Sequence, residues 1–206
     1  MNPALQHMLA FDIETLGLDP SAPVTYLEQG VLRTVPNRVT CACAHNGAGV
    51  SRTFLFTGEE APTEEDLKGR EEFLALLDAA PLLCAFNGVR FDIPFLCRSW
   101  NLPASRAGAW VRKTLDPFEA SKLALGRTFP LSRLLSTNGL ESKTGSGLDA
   151  IALAHQREYA RLGAYCMQDT RLTFLAASQH AVALPLHSGG RRVVLQGAGP
   201  CPFVLW

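Results

Sequence analysis

Two acidic residues, Asp12 and Glu14, stand two positions apart at the end of an apolar run, Met8 to Ile13. This run is rich in residues typical of β-strands, and alternate residues of a strand point to the same face of a sheet. Two carboxylates on one face repel each other, which raises their pKa values or destabilises the fold unless a cation lies between them. The pair therefore predicts either a cation site or a solvated strand end with two incidental acids.

A tyrosine and a third acid, Tyr165 and Asp169, are four residues apart in the segment that most clearly predicts a helix, Arg157 to His180. Residues at this spacing lie on one face of a helix, one turn apart. The pattern suits a hydroxyl and a carboxylate that act together. It also suits a surface acid whose side chain is covered by the tyrosine ring.

A fourth acid, Asp92, follows an asparagine-glycine turn at Asn87 and Gly88 and stands where a helix is expected to begin. A carboxylate in the first turn of a helix interacts favourably with the helix dipole, so a purely structural role is possible for it.

In this order, the three segments resemble the DEDD superfamily of 3'-5' exonucleases, in the subgroup whose third motif carries tyrosine. FDIET resembles the first motif, FNGVRFDIPFL resembles the second, and YCMQD resembles the third. The second has the form found in the proofreading domains of family B DNA polymerases and in their stand-alone relatives. The stretch LSRLLSTNGLESKTGSG also resembles the segment before the third motif in those stand-alone relatives.

The resemblance implies an α/β, ribonuclease H-like fold, in which helices flank a mixed central sheet and the acids meet at one end of the sheet. It also implies phosphodiester hydrolysis with two divalent metal ions, Mg²⁺ or Mn²⁺, which prefer hard oxygen ligands. In that scheme Asp12 would bridge the two ions, and Glu14 and Asp169 would complete the first site. Asp92 would hold the second ion mainly through water, and Tyr165 would orient the attacking water.

Three further residues are candidate substrate contacts by the same resemblance. Asn87 stands where the second motif contacts the terminal nucleotide, and Leu18 stands where an apolar side chain wedges against the last base. Lys143, in the loop before the third motif, would bind a phosphate. The competing interpretations are a turn residue, a core residue and a solvated charge. Arg90 departs from the asparagine that family B polymerases often carry two residues before the second-motif acid.

The order of the remaining elements suits a layered α/β domain. Thr63 and Asp66 have the spacing of a capping box. Residues 1–184 are predicted to form the exonuclease domain, and residues 185–206 a tail that contains a short strand or docks onto a protein partner. The predicted strands are Met8–Ile13, Arg38–His45, Ser51–Phe56, LLCAF and Arg191–Leu195, and the predicted helices are Glu64–Ala80, one beginning at Asp92, Pro117–Leu125, Leu131–Ser136, Leu148–His155 and Arg157–His180.

Composition narrows the function classes. The 206 residues carry 19 basic and 19 acidic side chains, so the zero formal net charge argues against non-specific coating of nucleic acid. Bases are nonetheless concentrated between Arg98 and Lys143, where a polyanion is expected to approach; Lys113 belongs to this group. Six cysteines without a CxxC pair, and an N-terminus unlike a signal peptide, predict an intracellular protein that is not secreted. No apolar run approaches the ~20 residues that span a bilayer.

The leading hypothesis is a metal-dependent exonuclease that releases nucleoside monophosphates from the 3' end of a single strand. The form of the second motif favours DNA, and an exoribonuclease is the first alternative. A catalytically silent module that binds nucleic acid within a larger assembly is the second. That alternative is disfavoured because all five motif residues are present.

Overall fold

A five-stranded mixed sheet lies at the centre of the fold, in the strand order β3-β2-β1-β4-β5. The computed structural model describes residues 7–17, 38–59, 61–141, 145, 147–179, 181–184 and 193–196. β1 is antiparallel to β2 and parallel to β4, β3 is antiparallel to β2, and β5 is parallel to β4. The strands are β1 (Met8–Thr15), β2 (Val39–His45), β3 (Ser51–Leu55), β4 (Leu82–Cys84) and β5 (Thr114–Leu115).

Seven helices in the described part of the chain cover the two faces of this sheet. The helices are α1 (Glu64–Ala79), α2 (Asp92–Ser99), α3 (Ala104–Arg112), α4 (Pro117–Leu125), α5 (Leu131–Thr137), α6 (Gly147–His155) and α7 (Tyr159–Ala177). The apolar residues of α1, α2 and α3 form one core with the sheet, and those of α4 to α7 pack on the opposite face. The predicted α/β class and the mixed central sheet are confirmed.

Alternation along β1 sends its side chains to two different cores. The even-numbered residues Met8 and Ala10 pack under α7, whereas the odd-numbered residues from position 9 to 13 pack against α1, α2 and α3. Asp12 and Glu14 continue the even-numbered row and are only partly buried. The predicted common face of the two acids is therefore the face that carries α7.

The long helix predicted from Arg157 to His180 is shorter, because it begins at Tyr159 and ends at Ala177. Arg157 has φ 60°, a left-handed conformation that interrupts helical geometry. The N–H of Arg157 donates to the carbonyl of Ala154, and the next N–H donates to the carbonyl of Leu153. This is the hydrogen-bond pattern of a Schellman motif, so position 157 ends α6 instead of beginning α7.

Beyond α7 the described chain forms a two-stranded antiparallel sheet, β6 (Ala181–Leu184) with β7 (Val193–Gln196). The strand predicted at Arg191–Leu195 corresponds to β7. Its partner β6 lies before position 185, so the strand predicted for the tail pairs with residues on the other side of the expected boundary. No helix of the described residues has both the length and the apolar character needed to cross a bilayer.

Candidate active site

The first acidic motif lies where β1 leaves regular pairing with β2. Asp12 and Glu14 face Cys43 and Cys41 across the two strands, and the register shifts immediately after Glu14. At this irregularity the hydroxyl of the buried Thr40 donates to the carbonyl oxygen of Glu14 at 3.1 Å. Bulges of this kind redirect side chains and occur often beside active sites. Here the bulge fixes the backbone that carries both acids.

Asp92 reaches the same end of β1 from the N-terminus of α2. Its Oδ1 accepts a hydrogen bond of 3.0 Å from the backbone N–H of Ile13, the residue between Asp12 and Glu14. The neighbouring strand β4 has already ended at Cys84. The carboxylate therefore accepts a hydrogen bond that a backbone carbonyl would accept if β4 extended further. Only 3% of Asp92 is exposed.

The turn before Asp92 depends on an asparagine and a glycine for different reasons. Asn87 has φ 65°, a left-handed conformation that asparagine adopts more readily than most residues. A Cβ atom on Gly88 would lie 2.3 Å from the Cβ of Ala85, so a larger residue does not fit there. The turn role considered for Asn87 is confirmed, and its carbonyl also accepts hydrogen bonds from the N–H groups of Arg90 and Phe91.

Asp116 holds this turn in place, and sequence reasoning missed it. Its carboxylate accepts from the backbone N–H groups of Asn87 and Val89 at 2.9 and 3.0 Å, and from those of Phe118 and Glu119 at 3.0 and 3.4 Å. It thereby caps α4 and joins that helix to the second motif. The signal was an aspartate directly before a proline at the first helical position, which is typical of a helix N-cap.

The third motif is brought to the acids by close packing of α7 on the sheet. A Cβ on Gly163 would lie 2.9 Å from the Thr53 side chain, so glycine permits the helix to approach β3 closely. One turn further on, the Sγ of Cys166 lies 3.6 Å from the backbone oxygen of Asp12 and 3.7 Å from its Oδ2. The neighbouring Tyr165 and Asp169 are 8% and 6% exposed.

Negative charge is concentrated at this end of the sheet. Burial, followed by the charges of Asp169, Glu14 and Asp12, raises the pKa of Tyr165 far above its usual range. The tyrosine is therefore a neutral hydrogen-bonding group at physiological pH and cannot act as a base. Burial also raises the pKa of Asp92 to about 7, even though the Ile13 hydrogen bond favours ionisation.

The donor set fits a divalent cation. One carboxylate oxygen of Asp12, one of Glu14 and the Sγ of Cys166 all lie within 4.8 Å of one another. Two oxygens bound to a single Mg²⁺ are about 3 Å apart, so small side-chain movements suffice for both carboxylates to bind one ion. Asp92 and Asp169 are the further candidate ligands. A cavity of about 340 Å³, lined by Asp12 and Asp169, leaves room for a substrate phosphate beside them.

The outer wall of this cavity is formed by the start of α5, by Gly145 and by the first residue of α6. Pro130, Leu131 and Ser132 line one side, and Gly145 and Gly147 line the other. A second cavity of about 530 Å³ continues from Gly145 along α6 and α7 beside Tyr165.

Three residues outside the motifs were expected to contact the substrate: Leu18, Lys143 and Lys113. Leu18 and Lys143 lie outside the described residues. Lys113 does not lie beside the acids, because its Nζ donates to the carbonyl oxygens of Asp78 and Ala80 at 2.8 and 2.7 Å. Those carbonyls lie at the C-terminus of α1, at the end of the sheet opposite the acids. A lysine there is stabilised by the helix dipole. The expectation that Lys113 faces a bound strand is therefore wrong.

Arg90, at the position that departs from the family pattern, pairs with Glu119. The side-chain Oδ1 of Asn87 is buried and has no hydrogen-bond partner within the described residues. A buried acceptor without a donor is costly, so this atom suits a donor supplied by a bound molecule.

A protein-family model described as the RNase_H superfamily matches residues 9–175. A search of curated proteins finds no match. Among solved structures, the chain is similar to the family B DNA polymerase from the hyperthermophilic archaeon Pyrobaculum calidifontis. The TM-score is 0.52 and the identity 18%, over 82% of this chain and 24% of the polymerase. The chain thus spans about a quarter of that protein, and at this identity the likeness concerns the fold.

Proposed function

The chain belongs to the RNase H superfamily, and from this membership we propose that it is a metal-dependent 3'-5' exonuclease acting on single-stranded DNA ends. The observation that carries the proposal is the convergence of five side chains at one end of the sheet. They come from a strand, a helix N-terminus and a distant helix: Asp12, Glu14, Asp92, Tyr165 and Asp169.

The proposed substrate rests on two observations. The second motif has the form found in family B polymerase proofreading domains, and a family B DNA polymerase is among the similar solved structures. Discrimination between DNA and RNA depends on one or two side chains near the 2' position. An exoribonuclease is therefore the alternative that the experiment must separate.

Each element of the site has a chemical task in this proposal. Bound Mg²⁺ or Mn²⁺ ions, held by Asp12, Glu14, Asp92 and Asp169, would supply charge stabilisation to the hydrolysis of the terminal phosphodiester. Without such cations the carboxylates would repel the phosphate. The neutral Tyr165 hydroxyl orients the attacking water.

Asn87 positions the terminal nucleotide. Its backbone is fixed by Asp116, and its buried Oδ1 is available to accept from a donor of that nucleotide. The cavity lined by Phe86 and the start of α5 holds the end of the strand. Specific binding of a 3' end, and not of an internal phosphate, follows if this cavity accommodates one terminal nucleotide.

The first test uses 5'-labelled DNA and RNA single strands of one sequence, with Mn²⁺, Mg²⁺ or chelator. We expect DNA to shorten progressively from its 3' end in either metal, with mononucleotides as products and no cleavage in chelator. A strand blocked by a 3' phosphate serves as the matched control for end recognition. Faster shortening of RNA would favour the exoribonuclease, and intact strands that remain bound would favour the silent module.

Tyr165→Phe tests the orienting hydroxyl. We expect a rate reduction of about 10- to 100-fold, because a hydrogen bond to a charged or reacting group contributes about 1.5–3 kcal/mol. Single-turnover cleavage of labelled DNA measures this change. We also expect Mn²⁺ to raise the thermal unfolding midpoint of the wild type and of this variant alike, since the carboxylates remain.

The matched control is Tyr159→Phe, which changes a half-buried tyrosine at the start of the same helix. Its cleavage rate should match that of the wild type. Equal rates for Tyr165→Phe and the wild type would remove the tyrosine from the proposed chemistry.

A further inference from the structure

Three cysteine thiols converge beneath the acids. Cys41 and Cys43 are two residues apart on β2 and point to the face covered by α7, which supplies Cys166. The three Sγ atoms lie within 4.8 Å of one another, and each residue is 0% exposed. We call Cys41, Cys43 and Cys166 the thiol cluster.

The thiol cluster adjoins the first acidic motif directly. Cys43 pairs with Asp12, and Cys41 pairs with Glu14, across the β1-β2 ladder. Cys166 closes the arrangement from above, with its Sγ 3.7 Å from Asp12 Oδ2. The soft sulfur donors are therefore direct neighbours of the hard oxygen donors, and Asp12 contacts the thiol cluster.

A buried thiol usually behaves as a small apolar side chain, and most single buried cysteines need no other explanation. Cys84 illustrates this case, because it is also 0% exposed but packs into the core beneath α5 and α7, apart from the cluster. The thiol cluster differs in that three sulfurs lie within 4.8 Å of one another beside a carboxylate. Zn–S bonds of about 2.3 Å place the sulfurs of a tetrahedral site about 3.8 Å apart. The cluster must contract by no more than about 1 Å to match.

We propose that the thiol cluster binds one thiophilic divalent cation of the Zn²⁺ class, and that its occupation inhibits the nuclease. Cys41, Cys43 and Cys166 supply three sulfurs, each of which releases its proton to solvent when it binds the cation. Asp12 would be the fourth ligand, because its Oδ2 lies 3.7 Å from the Sγ of Cys166 and the same residue lines the cavity of the candidate active site. A carboxylate engaged there is lost to the Mg²⁺ or Mn²⁺ site.

Ligand chemistry separates the two sites. Thiolates select zinc and similar soft cations, whereas carboxylates and water suit Mg²⁺ and Mn²⁺. Excess Mg²⁺ should therefore leave a cation in the thiol cluster undisturbed. The binding part of this inference is independent of the reaction, and only the inhibitory part rests on the proposed exonuclease activity.

Cd²⁺ is the probe for binding, because its thiolate complexes absorb in the ultraviolet and its carboxylate complexes do not. We titrate the metal-free protein with Cd²⁺ under reducing conditions, with millimolar Mg²⁺ present. The ultraviolet absorption of the cadmium thiolate complex should increase and should saturate at one Cd²⁺ per chain. Cys43→Ala and Cys166→Ala should each lose this absorption, and Cys84→Ala should keep it. Circular dichroism checks that each variant is folded.

Absence of the absorption in the wild-type protein would overturn the site without reference to any variant. Its persistence in Cys43→Ala and Cys166→Ala would overturn the assignment to the thiol cluster.

The inhibitory part is measured as DNA cleavage in Mg²⁺ with added Zn²⁺, each protein being normalised to its own rate in Mg²⁺ alone. The wild type and Cys84→Ala should lose at least about tenfold in rate, because diversion of Asp12 removes much of the charge stabilisation at the reacting phosphate. Cys43→Ala should lose much less. Cadmium binding without differential zinc inhibition would overturn the inhibitory role. No cleavage in Mg²⁺ by any protein would instead overturn the proposed function and leave the binding result intact.

Discussion

Asp12→Asn should lower the rate of DNA cleavage at least about a thousandfold while leaving the fold intact. A metal clamp contributes several kcal/mol of charge stabilisation, and each ~1.4 kcal/mol corresponds to a factor of ten in rate. The asparagine retains the shape of the side chain and can still accept from the Cys166 thiol. Single-turnover cleavage measures the loss, and thermal unfolding in chelator should show a midpoint equal to or above that of the wild type, because one like charge is removed.

Glu72→Gln is the matched control for this change. It also removes one negative charge, but from an exposed ion pair with Arg52 on the α1 side of the sheet. Its cleavage rate and its response to metal should be those of the wild type. Asp12→Asn with wild-type activity would show that the first motif does not carry the chemistry.

Much of the fold could be predicted because it is encoded over short distances along the chain. The alternation of β1 placed Asp12 and Glu14 on one face, and the structure places them there. The capping box at Thr63 and Asp66 is present, with both reciprocal hydrogen bonds, and it begins α1 at the expected residue. These signals depend on neighbours within a few positions, so no tertiary information is needed to recognise them.

Three elements escaped prediction: β6, which is defined by its pairing with β7, and β5 and α3, which depend on more distant contacts. Strand β5 has only two residues and exists through its parallel pairing with β4. Helix α3 lacks a side-chain cap and acids in its first turn. Its position depends on Trp110, whose indole N–H donates to Asp78 at 2.8 Å, and on Arg106, which pairs with the same carboxylate.

The candidate site was predictable in its main acids but not in what holds them. The motif residues could be recognised by type and order. The bulge held by Thr40 depends instead on strand register, and the hydrogen bonds to Asp116 come from a turn 27 to 29 residues away. The cysteines show the same limit. Each stands in an apolar run, and only the β1-β2 register and the seating of α7 bring Cys43 and Cys166 together beside Asp12.

Asp92→Asn should stabilise the metal-free protein at pH 8 although it removes a candidate metal ligand. Burial raises the pKa of Asp92 in the folded protein to about 7, above the ~3.9 of an unfolded aspartate. A raised carboxyl pKa contributes stability that is complete below about pH 4 and is lost as the pH rises through 7. Asparagine resembles the protonated carboxyl at every pH and can still accept the Ile13 N–H.

The measurement is the free energy of unfolding by urea, in chelator, at pH 5 and pH 8. At pH 5 the variant should already be more stable by about 1–2 kcal/mol, because the unfolded carboxyl is mostly ionised there; at pH 8 the difference should reach up to about 4 kcal/mol, three pKa units at ~1.4 kcal/mol each. Addition of Mn²⁺ should then stabilise the wild type more than the variant, because a ligand that binds only the folded state shifts unfolding by mass action.

Asp78→Asn is the opposing control, because the pKa of Asp78 is lowered in the folded protein whereas that of Asp92 is raised. Burial opposes ionisation of Asp78, but hydrogen bonds from Arg106 and Trp110 lower its pKa below the usual range. Its contribution to stability is present above the unfolded pKa and is lost as the pH falls, so Asp78→Asn should destabilise the protein at pH 8 with or without Mn²⁺. If Asp92→Asn also destabilised the metal-free protein at pH 8, the Asp92 carboxylate would be a structural hydrogen-bonding group. If Asp92→Asn is more stable than the wild type without metal and less stable with Mn²⁺, the buried carboxylate destabilises the metal-free fold and stabilises the metal-bound one.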